Sequence, residues 1–265
     1  MQSDGRPSVE LEATLVVCAT DPEKVVAEIA NLTSLADFRL KETHALRMRD
    51  IYFDTVDSAL RERGWGLRVR TIGSNQWLTF KGSATATQWG AVAYTEMEWE
   101  WSGEAFSKVL IELGKIGVSL TVMHEIFDYA DPVATMKRLG LEIIQDRETF
   151  RQAREVFYKF AEEAYALAEL VLDSVTYRFQ GSDILHYELE IEARQPDACH
   201  SMVEIEEALF AIWGPVLRKW VHSKLATGWA IERLLGVGAL QDAVHNRKLT
   251  SGAYDEIEAF FAGRG

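Results

Sequence analysis

Long apolar runs, cysteine and net positive charge are all scarce in this 265-residue chain, and each scarcity removes a class of function. Nowhere do about 18 consecutive apolar residues occur, so no segment is expected to span a bilayer. The leading MQSDGRPSVE lacks the apolar stretch of a secretory leader. Cys18 and Cys199 are too few and too far apart for a disulfide framework or a CxxC metal site, which makes a reducing, cytoplasmic setting the expectation. Lys and Arg number 28 against 41 Asp and Glu, a formal net charge of -13. That balance argues against a nucleic-acid backbone or an anionic membrane as the main partner, because such binders concentrate positive charge. A small anionic ligand stays open, since a local cluster of cations can oppose the global sign. No low-complexity segment, Pro-rich linker or short repeat divides the chain. At 48% hydrophobic content it can bury a substantial core as one large domain or two small ones.

What is present is mostly strand. VELEATLVVC alternates and then runs apolar, and DPEKVVAEIANLTSL follows with helical spacing and a proline near its start. LRMRDIYFDT, GLRVRTI, WLTFKG and AYTEMEWEW read as a meander, with turn signals at GSN and KGS. A helical block covers roughly 104 to 140. LEIIQDRETFRQAREVFYKF and YALAELVLDSVTYRF then fit a hairpin around Glu162 and Glu163, with helix as a rival reading for 153 to 168. YELEIEAR is the last strand, and the remainder is helical by periodicity and glycine stops.

The charged faces of these strands are sorted by sign. Glu10 and Glu12 share a face, as do Glu96, Glu98 and Glu100, and as do Glu188, Glu190 and Glu192; Arg68 and Arg70 share another, and so do Arg147 and Arg151, while Lys81 ends LTFK and Asp173 sits in LVLDSV. One acidic strand alone reads as a solvated sheet edge. Single-sign rows on several strands do not, because like charges side by side repel and solvated faces normally intersperse the two signs. Turned inward in a curled sheet, the rows make a lumen that would be costly if dry. A wet tunnel resolves the cost, with carboxylates for a hard divalent cation and Arg and Lys for phosphate oxygens.

In order and spacing, the ExE of VELEAT, RDIYFDT, LRVR, LTFKG, TEMEWE, QDRETF, LVLDSV, YELEIEAR and HSKLATG resemble the CYTH domains, or triphosphate tunnel metalloenzymes. That family includes class IV adenylate cyclases, thiamine triphosphatases and bacterial inorganic triphosphatases. The resemblance spans about residues 9 to 235. It implies an α+β fold, an eight-stranded antiparallel β-barrel with flanking helices, over 1–235, followed by a helical extension, 236–265, packed on it. It further implies Mg²⁺ or Mn²⁺ near Glu10, Glu12, Glu190 and Glu192, with Glu188 and Asp173 in support. Arg68, Arg70, Lys81, Arg147 and Lys224 would hold phosphate. Turnover is then expected to depend on Lys81, which would orient the attacking water, and on Glu190.

The expected activity is hydrolysis of inorganic, thiamine or nucleoside triphosphate. A class IV type of cyclisation of ATP and a catalytically weak organophosphate-binding module are the alternatives. Two departures bear on the choice. The family's ExExK ends here on Thr14, so a phosphate-binding lysine is missing, and the KxR pair of bacterial inorganic triphosphatases begins here with Gln145, in place of the lysine that the resemblance assigns to positioning or activating the attacking water. Five tryptophans, Trp65, Trp77, Trp89, Trp99 and Trp101, read as packing beneath helices, with Trp89 in a loop as a candidate stacking residue. The six histidines and the two cysteines read as structural, and Arg151 as a partner of a carboxylate.

Overall fold

Residues with a period of two form strands and those with helical spacing form helices through most of the chain. The structure, a computed structural model, describes residues 8–86, 92–120, 128–160, 165–195 and 199–263. In chain order its elements are β1 Ser8–Val17, α1 Pro22–Ala30, β2 Ser34–Leu35, β3 Phe38–Thr55, α2 Ala59–Glu62, β4 Trp65–Ile72, β5 Asn75–Ala86 and β6 Val92–Glu100. There follow α3 Gly103–Lys115, α4 Pro132–Arg138, β7 Leu141–Tyr158, β8 Ala168–Phe179, β9 Ser182–Ala193 and α5 Cys199–Trp213. The chain closes with β10 Leu217–Trp220, α6 Lys224–Gly236, β11 Val244–His245, β12 Lys248–Leu249 and α7 Ser251–Ala262. Hydrogen-bonded neighbours run β1-β6-β5-β4-β3-β7-β8-β9, and β9 pairs back onto β1. The fold is thus α+β, a ring of eight strands with flanking helices. Among the described residues, no helix is long and apolar enough to cross a membrane.

The chain divides into two compact units. The first holds Arg47–Thr85 and Ala93–Glu148 together with the chain up to Glu10. Its core packs α3 and α4 onto the apolar face of its strands, with Phe53, Leu67, Val69, Leu78, Phe80 and Trp99 against Phe106, Val109, Leu113 and Met136. The second unit holds Leu11–Leu46, Ala86–Val92 and Thr149–Gly265. There α1 and α5 cover Leu15, Leu170, Leu172, Leu189 and Ile191. A separate cluster packs α6 and α7 onto Val16, Val175, Tyr177 and Ile184. Alternation therefore decides which helices each side chain of the second unit meets, α1 and α5 on one face and α6 and α7 on the other.

Several expectations resolve locally. Residues up to Tyr158 are strand, not helix, so the rival reading of 153 to 168 fails over its first six residues. Glu162 and Glu163 lie outside the described residues, as do His124 and Trp89. The GSN turn is present, with Gly73 at φ 59°. KGS is not a turn, because β5 runs through it to Ala86. Gly82 is there for a close approach instead. The ring of Trp65 stacks on Phe80 at 4.4 Å between centroids and lies across the glycine, where an added Cβ would sit 2.3 Å from Trp65 Cδ2. Trp65, Trp99 and Trp101 join the apolar core, whereas Trp77 stands opposite Arg70 in the register, on the charged face. The short β10, β11 and β12 were too brief to show as periodic sequence.

Gly82→Ala should destabilise the protein by roughly 1 to 3 kcal/mol, the usual cost of overpacking. Urea unfolding checks this, and the double change with Trp65→Leu should recover most of the loss. Equal stability of parent and single variant would mean that the indole yields freely.

Candidate active site

The acidic face of β9 is not a solvated edge. Glu188 and Glu190 are only 1% and 6% exposed, and Asp173, opposite Glu188 on β8, is fully buried. On the other side β1 places Glu12 opposite Glu192 and Thr14 opposite Glu190. Three neighbouring strands of the second unit thus turn acidic side chains onto one face. Two cations lie among them. Arg151 donates to both oxygens of Asp173 at 2.9 and 2.6 Å and to Glu190 at 2.7 Å, and reaches Glu192 at 3.5 Å. Lys224 Nζ stands 3.0 Å from Asp173, donates to Glu190 at 2.5 Å and also contacts Glu188.

A lysine at the first turn of a helix opposes the helix dipole, so its place needs a local cause. Ser223 caps α6 by accepting from Ala226 N at 3.2 Å, and the Tyr177 hydroxyl donates to the Lys224 carbonyl at 2.8 Å, which fixes where the side chain starts. The carboxylates supply the rest. Burial alone would lower the Lys224 pKa, but Glu188, Glu190 and Asp173 raise it well above its ordinary value. Burial likewise works to raise the Glu190 carboxyl, and Lys224 and Arg151 outweigh it and hold it below the usual range. Asp173 and Glu190 contact both cations and Glu188 contacts Lys224, while Glu192 contacts Arg151 and, at 4.0 Å, Arg194. Three buried carboxylates, Asp173, Glu188 and Glu190, thus stand around two cations. Asp173, Glu188 and Glu190 offer ligand atoms within 4.8 Å of one another. An all-carboxylate donor set suits Mg²⁺ or Mn²⁺ and not a soft metal.

The first unit carries the complementary cluster. Register places Asp50 opposite Arg70 and Tyr52 opposite Arg68. Arg70 grips Asp50 through two bonds, at 2.7 and 2.9 Å, and Arg147 donates to Asp50 at 3.0 Å and to the Tyr52 hydroxyl at 2.9 Å. Arg68 donates to Glu96 at 3.1 Å and to Tyr52 at 3.2 Å, and its buried Nε has no acceptor. Lys81 lies 2.9 Å from Glu10 and 3.1 Å from Glu96. Burial pushes the Asp50 carboxyl up, but Arg70 and Arg68 bring it well below the usual carboxylate range. Against burial, Arg68 and Lys81 draw Glu96 down to about 2. Guanidinium groups held side by side around one aspartate and one phenol are preset in direction, which suits an anion with several oxygens.

The structure therefore gathers Arg68, Arg70, Lys81 and Arg147 in one unit and Glu12, Asp173, Glu188, Glu190 and Glu192 in the other. Two expected partners change sides. Lys224 stands among the carboxylates, and Glu10 pairs with Lys81. Thr14 faces Glu190 in the register. Gln145 is buried, its amide oxygen 3.4 Å from Arg147. Asp50 and Tyr52 were not singled out from the sequence, although the period of two in RDIYFDT puts them on one face. Arg151 does pair with a carboxylate. His186, fully buried between Glu188 and Tyr254, is a polar contact that no spacing announces.

Comparison with known proteins fits this geometry. A proposed adenylyl cyclase from Hippeastrum, whose structure is described as revealing a dominant triphosphatase activity, is 16% identical; the match covers 83% of this chain and 94% of that one, with a TM-score of 0.50. A proposed adenylate cyclase from Bacillus halodurans is 15% identical over 83% of this chain and 96% of its own, with a TM-score of 0.51. At such identity the likeness is one of fold. No curated protein sequence matches. The CYTH domain profile matches residues 23–212, which includes every strand from β2 to β9 and stops short of β1 and of Lys224. With well over half of its length matched, the chain belongs to the CYTH domain family.

Proposed function

We propose that the protein hydrolyses the terminal phosphoanhydride of a small-molecule triphosphate with the help of Mg²⁺ or Mn²⁺. The observation that carries this reading is the buried group around Asp173, in which Asp173, Glu188 and Glu190 offer ligand atoms within 4.8 Å of one another and share two cations, Arg151 and Lys224. Buried carboxylates that outnumber the cations among them are expensive without a further counter-ion. The description of the Hippeastrum protein supports the same reading.

When bound, the cation supplies Lewis-acid neutralisation of phosphate oxygens. Asp173, Glu188 and Glu190 would hold it, with Glu12 and Glu192 beside them. Arg68, Arg70 and Arg147 fork onto the phosphate oxygens, where their fixed directions stabilise charge that grows as the terminal group leaves. Lys81 adds a point charge and orients the attacking water. That water adds to the terminal phosphorus in line, the bond to the bridging oxygen breaks, and phosphate and the shortened substrate depart. Gln145 stands where the resemblance expects a lysine, which favours an organic triphosphate over the inorganic one, or a protein that binds more than it turns over.

A panel of inorganic, thiamine and nucleoside triphosphates, assayed for phosphate, pyrophosphate and cAMP, tests the proposal. Phosphate should appear with Mg²⁺ or Mn²⁺ and cease in excess EDTA; full release in EDTA would rule the mechanism out. Pyrophosphate released in step with cAMP from ATP would replace hydrolysis by cyclisation. Binding of the panel without any product would leave a binding module.

Glu190→Gln and Glu12→Gln should each lower turnover by more than about tenfold, the lower end of what losing even an outer-shell partner of a metal costs. Circular dichroism should not change. Parent-like kinetics at low metal concentration would remove that carboxylate from the set.

Thr14→Lys should tighten inorganic triphosphate about tenfold, because a charge-assisted bond contributes roughly 1.5 to 3 kcal/mol against ~0.5 to 1.5 for a neutral one, and the double change with Gln145→Lys should do more. Isothermal titration with a non-hydrolysable analogue reads the change. Unchanged affinity would show that the cations already present fill those roles.

A further inference from the structure

We infer that Tyr254, on the C-terminal helix α7, and His186 are positioning residues for the acidic cluster, joined in a buried chain that fixes the direction of Glu188. The inference rests on the proposed role of Glu188 beside a divalent cation. The three groups are continuous: the Tyr254 hydroxyl lies 3.0 Å from His186 Nδ1, and His186 Nε2 lies 2.7 Å from Glu188 Oε2. Tyr254, His186 and Glu188 are 1%, 0% and 1% exposed, so water cannot substitute for a lost partner. The other oxygen of Glu188 contacts Lys224.

Hydrogen-bond accounting sets the direction of the chain. Glu188, as a carboxylate, can only accept, so His186 Nε2 carries the ring proton and gives it to Oε2. Burial, with Cys18 and Glu188 nearby, holds the phenol protonated well above its ordinary range. Nδ1 of the neutral ring is then the acceptor of the Tyr254 hydroxyl proton. The opposite tautomer would set a nitrogen lone pair against the carboxylate at the same short distance. The phenol hydroxyl therefore supports the tautomer that the carboxylate requires, and that tautomer holds one oxygen of Glu188 while leaving the other turned to the cluster.

The elements that carry this chain come from different parts of the sequence. His186 and Glu188 share the polar face of β9, where His186 stands opposite Val175 and Glu188 opposite Asp173. Tyr254 belongs to a helix beyond residue 212, where the family match ends. It is held in the apolar cluster with Trp220, Ile231 and Ile257. The C-terminal helix thus has a task besides covering apolar surface, because it reaches the carboxylates through a single hydroxyl.

Tyr254→Phe removes that oxygen and keeps the packing; His186→Gln keeps an amide donor near the position of Nε2, and His186→Leu keeps none. Mn²⁺ binding to the substrate-free full chain, followed by titration calorimetry, and imidazole ¹⁵N spectra are the two readouts, with thermal unfolding as control. Tyr254→Phe should weaken Mn²⁺ roughly ten- to hundredfold, as loss of an outer-shell partner does. It should also shift the His186 nitrogens away from the pure Nε2–H pattern, with folding intact. His186→Leu should weaken binding at least as far, and His186→Gln should restore part of it. If the parent binds Mn²⁺ and Tyr254→Phe binds it equally well, the positioning role is wrong while the metal reading stands. If Glu190→Gln and the parent alike bind no Mn²⁺, both fall together. Should Tyr254→Phe fold too poorly to titrate, the contrast between His186→Gln and His186→Leu decides, and equal affinity in those two overturns the inference.

Discussion

Carboxylates buried beside one another are the constraint on which the second unit depends. Asp173, Glu188 and Glu190 are nearly inaccessible, and three like charges so placed repel at a cost that apolar packing alone does not offset. Arg151 and Lys224 make the arrangement possible. Arg151 comes from β7 and Lys224 from the first turn of α6, so one strand and one helix must be in place before the acidic face of β9 can be buried. The Ser223 cap, the Tyr177 hydroxyl and the Tyr254–His186 chain all bear on the same few oxygens. Buried ion pairs of this kind are weak evidence for stability, since well-packed apolar residues often do as well. Their persistence here points to a use for charge.

The two units handle charge differently. Around Asp50 and Glu96, four cations meet carboxylates and a phenol in mutual contact, and Asp50 alone engages three guanidinium groups. Around Asp173 the carboxylates outnumber the cations. A polyanion entering the first cluster competes with Asp50, Glu96 and Glu10 for guanidinium and ammonium groups that are already aimed. A cation entering the second competes with Lys224 for Asp173, Glu188 and Glu190. Both exchanges swap one set of charge-assisted bonds for another, which keeps the cost of reorganisation low.

Much of the architecture was legible because alternation is a strong signal when its faces carry opposite characters. YELEIEAR, TEMEWE and LRVR each became strands with the apolar residues in a core and the charges on the other face. The ring of strands and the two charged clusters follow from those rows and from the family resemblance. Other features depend on distant contacts and leave no local trace. Nothing in KGS distinguishes a turn glycine from one that admits the ring of Trp65. Lys224 and Lys81 are equally plausible phosphate ligands in sequence, and only the cap of α6 and the register of β8 and β9 put the first among carboxylates. Asp50 and Tyr52 were within reach, since their alternation matches that of Arg68 and Arg70 on the paired strand. Tyr254 was not, because a tyrosine in an amphipathic helix looks the same whether its hydroxyl is idle or bonded.

The central claim is that the excess charge around Asp173 marks the seat of a divalent cation. Crystals grown with Mn²⁺ and a non-hydrolysable triphosphate, measured for anomalous scattering at the manganese edge, test it directly. The account predicts a peak about 2.1 Å from oxygens of Asp173, Glu188 or Glu190, the distance of a small hard cation. Lys224 Nζ should then have moved off those oxygens. A triphosphate bound with no anomalous peak there, and Lys224 still among the three carboxylates, would contradict it.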